Sequence, residues 1–172
     1  MVWPAQAAVT PGALGVRRGM TITTTQSGTN VHEIAAGILR ISTPIPPSVF
    51  PGGFTFNQML IVDDAPLLFH TGPRAMFPLV QGAVAHILGD VGRLRYVGFS
   101  HIESDECGSM NAWLAAAPAA EVVCSRVAVM TSADLADRAP RALGDGSGTR
   151  TWRASSRSRC SSGSWWRYGR DA

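Results

Sequence analysis

Apolar residues follow two rhythms along this chain, one of period two and one of period near 3.6. Between residues 31 and 42, Ile34, Ile38 and Ile41 alternate loosely around Gly37, which predicts a strand pair or a bent strand. Residues 56–62 read as a second strand, Asp63-Asp64-Ala65-Pro66 as a turn, and residues 66–70 as a third strand closed by Thr71-Gly72. Met76, Val80, Val84, Ile87 and Leu88 then fall at helical spacing, with Gly89 as the stop signal. Leu94, Tyr96, Val97 and Phe99 mark the next strand. Residues 110–117 favour a helix ending at Pro118, and Val122-Val123-Cys124 a short buried strand. Ser125 is placed to cap a helix over residues 126–138.

Between these elements, residues 43–53 hold Pro44, Pro46, Pro47 and Pro51, which exclude helix and predict an ordered surface loop. Strands come first, and helices and strands then alternate, the pattern of a layered α/β domain. The organisation expected is an extension without order over residues 1–19, one domain over 20–146, and a tail over 147–172. That tail is rich in Arg, Ser, Gly and Trp and nearly devoid of aliphatic residues. Such composition buries too little apolar surface to offset its ordering entropy, so disorder or poor packing is expected there.

The formal charge of +3 changes little, because it is unevenly placed. Residues 1–144 carry nine Arg against ten acidic residues, whereas residues 145–172 carry six Arg against two Asp. Basicity confined to the tail does not predict a nucleic-acid surface on the domain. All fifteen basic residues are Arg, which points to a GC-rich coding sequence. Cys107, Cys124 and Cys160 are odd in number and form no CxxC pair, so neither a disulfide framework nor a structural zinc site is expected. The Arg pair near the start follows the apolar residues, the wrong order for a secretory signal, and no apolar run is long enough to span a bilayer. A cytoplasmic protein with no membrane partner is the expectation.

The chemistry gathers in Ser100-His101-Ile102-Glu103-Ser104-Asp105-Glu106-Cys107-Gly108. In an extended backbone, side chains two apart share a face, so His101, Glu103 and Asp105 are expected to converge on an open metal site at a strand end. The competing reading is a solvated acidic loop with a carboxylate capping the helix that follows. His70, at the end of its strand, reads as a packed or hydrogen-bonded residue rather than a ligand, and His32 and His86 as surface positions. No histidine follows His101.

The string His101-x-Glu103-x-Asp105-Glu106 resembles the metal-binding motif of the metallo-β-lactamase fold, with glutamate at the second position as in flavodiiron proteins and their oxygen-binding diiron relatives. Phe56-Asn57-Gln58, Leu67-Leu68-Phe69-His70-Thr71-Gly72, Gly108-Ser109-Met110-Asn111 and Val123-Cys124-Ser125 carry the same likeness, over roughly residues 31–146. The resemblance implies the N-terminal half of an αβ/βα sandwich. It also implies that His101 and Glu103 bind one metal and Asp105 a second. Carboxylate at 103 favours non-haem iron, a diiron pair in the family, with zinc as the alternative. Glu106 stands where the motif has histidine, and its role is open among ligand, hydrogen-bond acceptor and solvated carboxylate.

The function implied is binding or reduction of dioxygen or nitric oxide, with electrons from a separate donor protein and oligomers as in the family. A zinc hydrolase of the same fold and a non-enzymatic truncated product are the alternatives. The later ligands of the motif are missing, so the dinuclear site is expected to be incomplete and this chain inactive. A shift of reading frame after codon 148 would account for both the missing histidines and the tail. With half a sandwich, one sheet face is expected to lie open, putting Leu60, Val62, Leu68 and Val97 at risk of exposure.

Overall fold

The computed structural model describes residues 20–144; the expectations for residues 1–19 and for the tail lie outside the described residues. Eight strands form one mixed sheet in sequential order. β1 (Met20–Thr24), β2 (Thr29–Ala35), β3 (Ile38–Ile45), β4 (Phe54–Ile61) and β5 (Leu67–Phe69) run as an antiparallel meander. β6 (Tyr96–Gly98), β7 (Glu121–Cys124) and β8 (Arg141–Ala142) then join in parallel. The expected strand pair is the β2–β3 hairpin. Its turn holds Gly37 at φ +72°, where an added Cβ would meet the Val62 carbonyl oxygen at 3.0 Å, so glycine is required there.

Parallel strands need crossovers, and here helices supply them. α1 (Phe77–Leu88) links β5 to β6, and α2 (Ser104–Cys107) with α3 (Met110–Ala116) links β6 to β7. α4 (Arg126–Ser132) links β7 to β8. Strands added one after another in a single direction put their crossover helices on the same face when each crossover has the usual right hand. Leu39, Ile41, Leu60, Leu68 and Val97 accordingly form one buried cluster with Val80, Ala83, Val84 and Ile87 of α1 and with Trp113 of α3. A second cluster joins Phe99, Val122 and Cys124 to Met110 and Leu114 of α3 and Ala128 of α4.

Three expectations are corrected. Leu60, Leu68 and Val97 are fully buried, and Val62 packs against the same core. The open face carries the alternate set instead: Ile38, Met59, Ile61, Leu67, Phe69 and Tyr96, half-buried and linked by direct pairing of Ile38 with Ile61, Ile61 with Leu67, and Leu67 with Tyr96. A shift of one position along a strand exchanges faces, and the pattern alone does not say which face the helices take. Next, the proline-rich loop is shorter than expected, because β3 continues to Ile45 and Pro44 pairs with Thr55. The β2 ladder ends at Asn30 opposite Ser42, so the missing Pro44 N–H interrupts no pairing on that side.

Finally, the helix after Ser125 stops at Ser132 rather than at residue 138. Asp137 N–H donates to Asn111 Oδ1, and the Arg138 guanidinium donates to carbonyls at the end of α3, drawing this segment away from a helical path. Among the described residues no helix is long and apolar enough to cross a membrane.

Candidate metal centre

The parallel strands β5 and β6 end side by side, and the loops leaving their carboxyl ends carry the polar residues, as is usual for sites in α/β sheets. β5 delivers His70 and β6 delivers Ser100 and His101. His70 N–H donates to Gly98 O at 2.8 Å, one step beyond the ladder, and the residue then turns into the left-handed region at φ +63°. Behind it, Thr71 N–H donates to Glu106 O at 2.8 Å, and Ser109 Oγ donates to Thr71 O at 2.7 Å. These bonds tie the β5 loop to α2 and to the start of α3. Gly108 belongs to the same junction, because a Cβ there would lie 2.2 Å from the Ser104 carbonyl oxygen.

His101 and Glu103 meet as the motif suggests. Nε2 of His101 lies 2.8 Å from Oε2 of Glu103, and both side chains are exposed. The hydrogen bond to Glu103 holds the imidazole above its ordinary pKa, with Glu106 and Asp105 adding attraction for the charged form.

Asp105 is placed differently from the extended-strand expectation. Glu103 is extended (φ −150°, ψ 152°), but helix α2 begins at Ser104, so Asp105 and Glu106 sit in its first turn. Carboxylates favour a helix N-terminus, which explains why the backbone changes period here. The three side chains therefore do not line one strand face. Among the described residues, no three His, Cys, Asp or Glu side chains are arranged to share an ion.

Glu106 turns toward His70. Its Oε2 contacts His70 Nε2 and accepts a hydrogen bond from Ser100 Oγ at 3.3 Å. Burial lowers the pKa of His70 despite the opposing pull of Glu106, which favours the neutral imidazole in this contact. His70 also stacks on Phe69, with ring centroids 4.3 Å apart. It is hydrogen-bonded and packed, as its position at a strand end suggests. Burial raises the pKa of Cys107, whose Sγ donates to Glu103 O at 3.4 Å, and this disfavours a thiolate there. Cys124 is buried in the core. Sequence reasoning did not single out Ser100, which touches His70, His101 and Glu106; only its place directly before the motif marks it.

His101 and Glu103 are the two donors that would hold an ion, fewer than the three or more protein ligands of an ordinary metal site, and their 2.8 Å contact is a hydrogen bond. A borderline nitrogen with a hard oxygen suits divalent iron or zinc. The pair does not constitute a dinuclear centre.

A mixed sheet with its helices on one face and polar residues at the parallel strand ends has the fold shared by metallo-β-lactamases and flavodiiron cores. The structure superposes on the flavodiiron core of Flv1 from Synechocystis sp. PCC6803 with a TM-score of 0.57 at 20% identity, over 67% of this chain and 31% of that one. A flavoprotein from Thermotoga maritima gives 0.56 at 18% identity, over 68% and 32%. A metallo-β-lactamase from Pontibacter korlensis gives 0.51 at 14% identity, over 66% and 51%. The matched region is thus a third to a half of each of those chains. No protein-family model and no curated protein sequence matches.

Proposed function

We propose that this chain is a metal-binding protein of the metallo-β-lactamase fold. In this reading His101 and Glu103 hold one ion, and Asp105 is a donor to a second in a dinuclear site that stays incomplete, which leaves the chain inactive. The observation that carries the reading is the 2.8 Å approach of His101 Nε2 to Glu103 Oε2 beside the ends of two parallel strands. Glutamate at 103 favours iron, which when bound would supply redox chemistry toward dioxygen or nitric oxide. The residues present bind and orient the ion: Glu103 supplies negative charge, and Ser100 and Glu106 hold the imidazoles. Electrons would come from a separate donor protein.

The test is metal analysis of the full chain expressed with added iron and purified in air. Iron retained by the wild type and lost from both His101→Ala and Glu103→Ala supports the proposal. A wild type free of metal, or a His101→Ala variant that keeps its iron, overturns it. Zinc in place of iron, with hydrolysis of an ester or lactam, would transfer the reading to the hydrolase branch.

A further inference from the structure

The sheet face that the helices leave open is apolar in its middle and charged toward both ends. Cross-strand pairing sets Ile38, Ile61, Leu67, Tyr96 and Glu121 in one row from β3 to β7. A parallel row runs through Arg40, Met59, Phe69, Gly98 and Val123. The apolar stretch is therefore bounded by a cation on β3 and by an acid on β7. Arg40 Nε is buried without an acceptor, and among the described residues no carboxylate pairs with this guanidinium. A cation set among apolar neighbours calls for an anion. Glu121 is exposed and receives Arg141 Nε on Oε2 at 2.8 Å, which leaves Oε1 open to a second cation. Arg141, 5.5 Å over the Tyr96 ring, fixes that carboxylate at the edge of the apolar stretch.

A face with a cation at one end and an acid at the other is complementary to itself once turned round. A twofold dimer uses one patch twice, and two in-plane axes keep the strands of stacked sheets aligned. An axis across the strands sets β3 on β3 and brings Arg40 beside its own copy, which is repulsive. An axis along β5 reverses the strand order, so β3 lies over β7 of the second copy and β4 over its β6. Arg40 then meets Glu121 at both ends, while Met59, Ile61, Leu67, Phe69 and Tyr96 fill the middle. The area suffices. With strands of about five residues, the overlap of β2 to β8 is about 17 Å by 29 Å. Two copies thus cover about 1,000 Å² between them before side-chain relief is added, the lower bound for a specific interface.

We infer that the open face is the interface of a homodimer, with two sheets stacked about 10 Å apart around a twofold axis along β5. The apolar middle supplies the attraction, and the two Arg40–Glu121 pairs select the axis and the register. The loops carrying His70 and His101 lie past the strand ends, so the dimer forms whether or not a metal is bound.

Sedimentation velocity of the full chain, with a chelator present, tests this over about 1–300 µM. The wild type is expected to pass from monomer to dimer within that range. Arg40→Glu and Glu121→Arg are each expected to weaken the dimer by about 10-fold or more, because each sets like charges face to face. The double variant, Arg40→Glu with Glu121→Arg, restores the opposite-charge pairs and is expected to recover most of that loss. Damage to the fold by a single change gives no such rescue, so the double variant separates pairing from misfolding. A wild type that stays monomeric throughout overturns the inference and leaves the face to another segment of the chain or a different partner. Single variants that dimerise as the wild type does also overturn it, as does a double variant no tighter than either single one.

Discussion

His70 holds an unfavourable backbone conformation in exchange for its position. A left-handed non-glycine residue costs on the order of 1–3 kcal/mol, and here the bond to Gly98 O and the stacking on Phe69 maintain it. Burial lowers the pKa of its imidazole against the pull of Glu106 and Asp105, while His101 pushes the same way as burial. The sign of the resulting pH dependence follows. The unfolded chain takes up a proton on His70 near pH 6.5, whereas the folded chain resists until lower pH. Its contribution is therefore full above pH 6.5 and declines as the pH falls below it. His70→Asn, which tolerates the left-handed backbone, is expected to flatten that acid-side loss in denaturation measured across pH 5–8. An unchanged slope would remove His70 as the cause. At this scale the sequence was partly readable. The His101–Glu103 meeting follows from local spacing, whereas Asp105 and Glu106 depended on where helix α2 begins.

Among the elements, α3 depends most on a distant residue. Leu114 O near its end and three carbonyls of the turn that follows receive the Arg138 guanidinium: Leu114 O at 3.2 Å, Ala117 O at 3.4 Å, Pro118 O at 2.7 Å and Ala120 O at 2.9 Å. One cation thus satisfies a helix end and the turn leading into β7. Arg138→Ala is expected to destabilise the domain by about 1–2 kcal/mol, with Arg138→Lys recovering only part. A loss below about 0.3 kcal/mol in urea titration would show that water replaces the guanidinium at no cost. No sequence rule reaches across the 24 positions between Leu114 and Arg138. The same holds for β8, two residues long and recognisable only by its pairing with Val123 and Cys124. By contrast, α1, β4, β7 and the Ser125 cap announce themselves locally through periodicity or a single side-chain bond.

Across the described residues as a whole, one sheet separates a helix-covered face from an open one, and adjacent positions in β4 fall on opposite sides. Leu60→Lys places a charge in a fully buried position and is expected to cost more than about 4 kcal/mol, enough to prevent folding. Met59→Lys, one residue earlier on the open face, is expected to stay within about 1 kcal/mol of wild type and to reduce self-association in sedimentation. Equal damage from both would mean that the open face is covered. The sheet also separates two inheritances. Ser100, His101, Glu103 and Glu106 lie past the paired strands, so their side chains can be exchanged without altering any strand register. Selection can rewrite the chemistry at this rim while leaving the folding problem untouched.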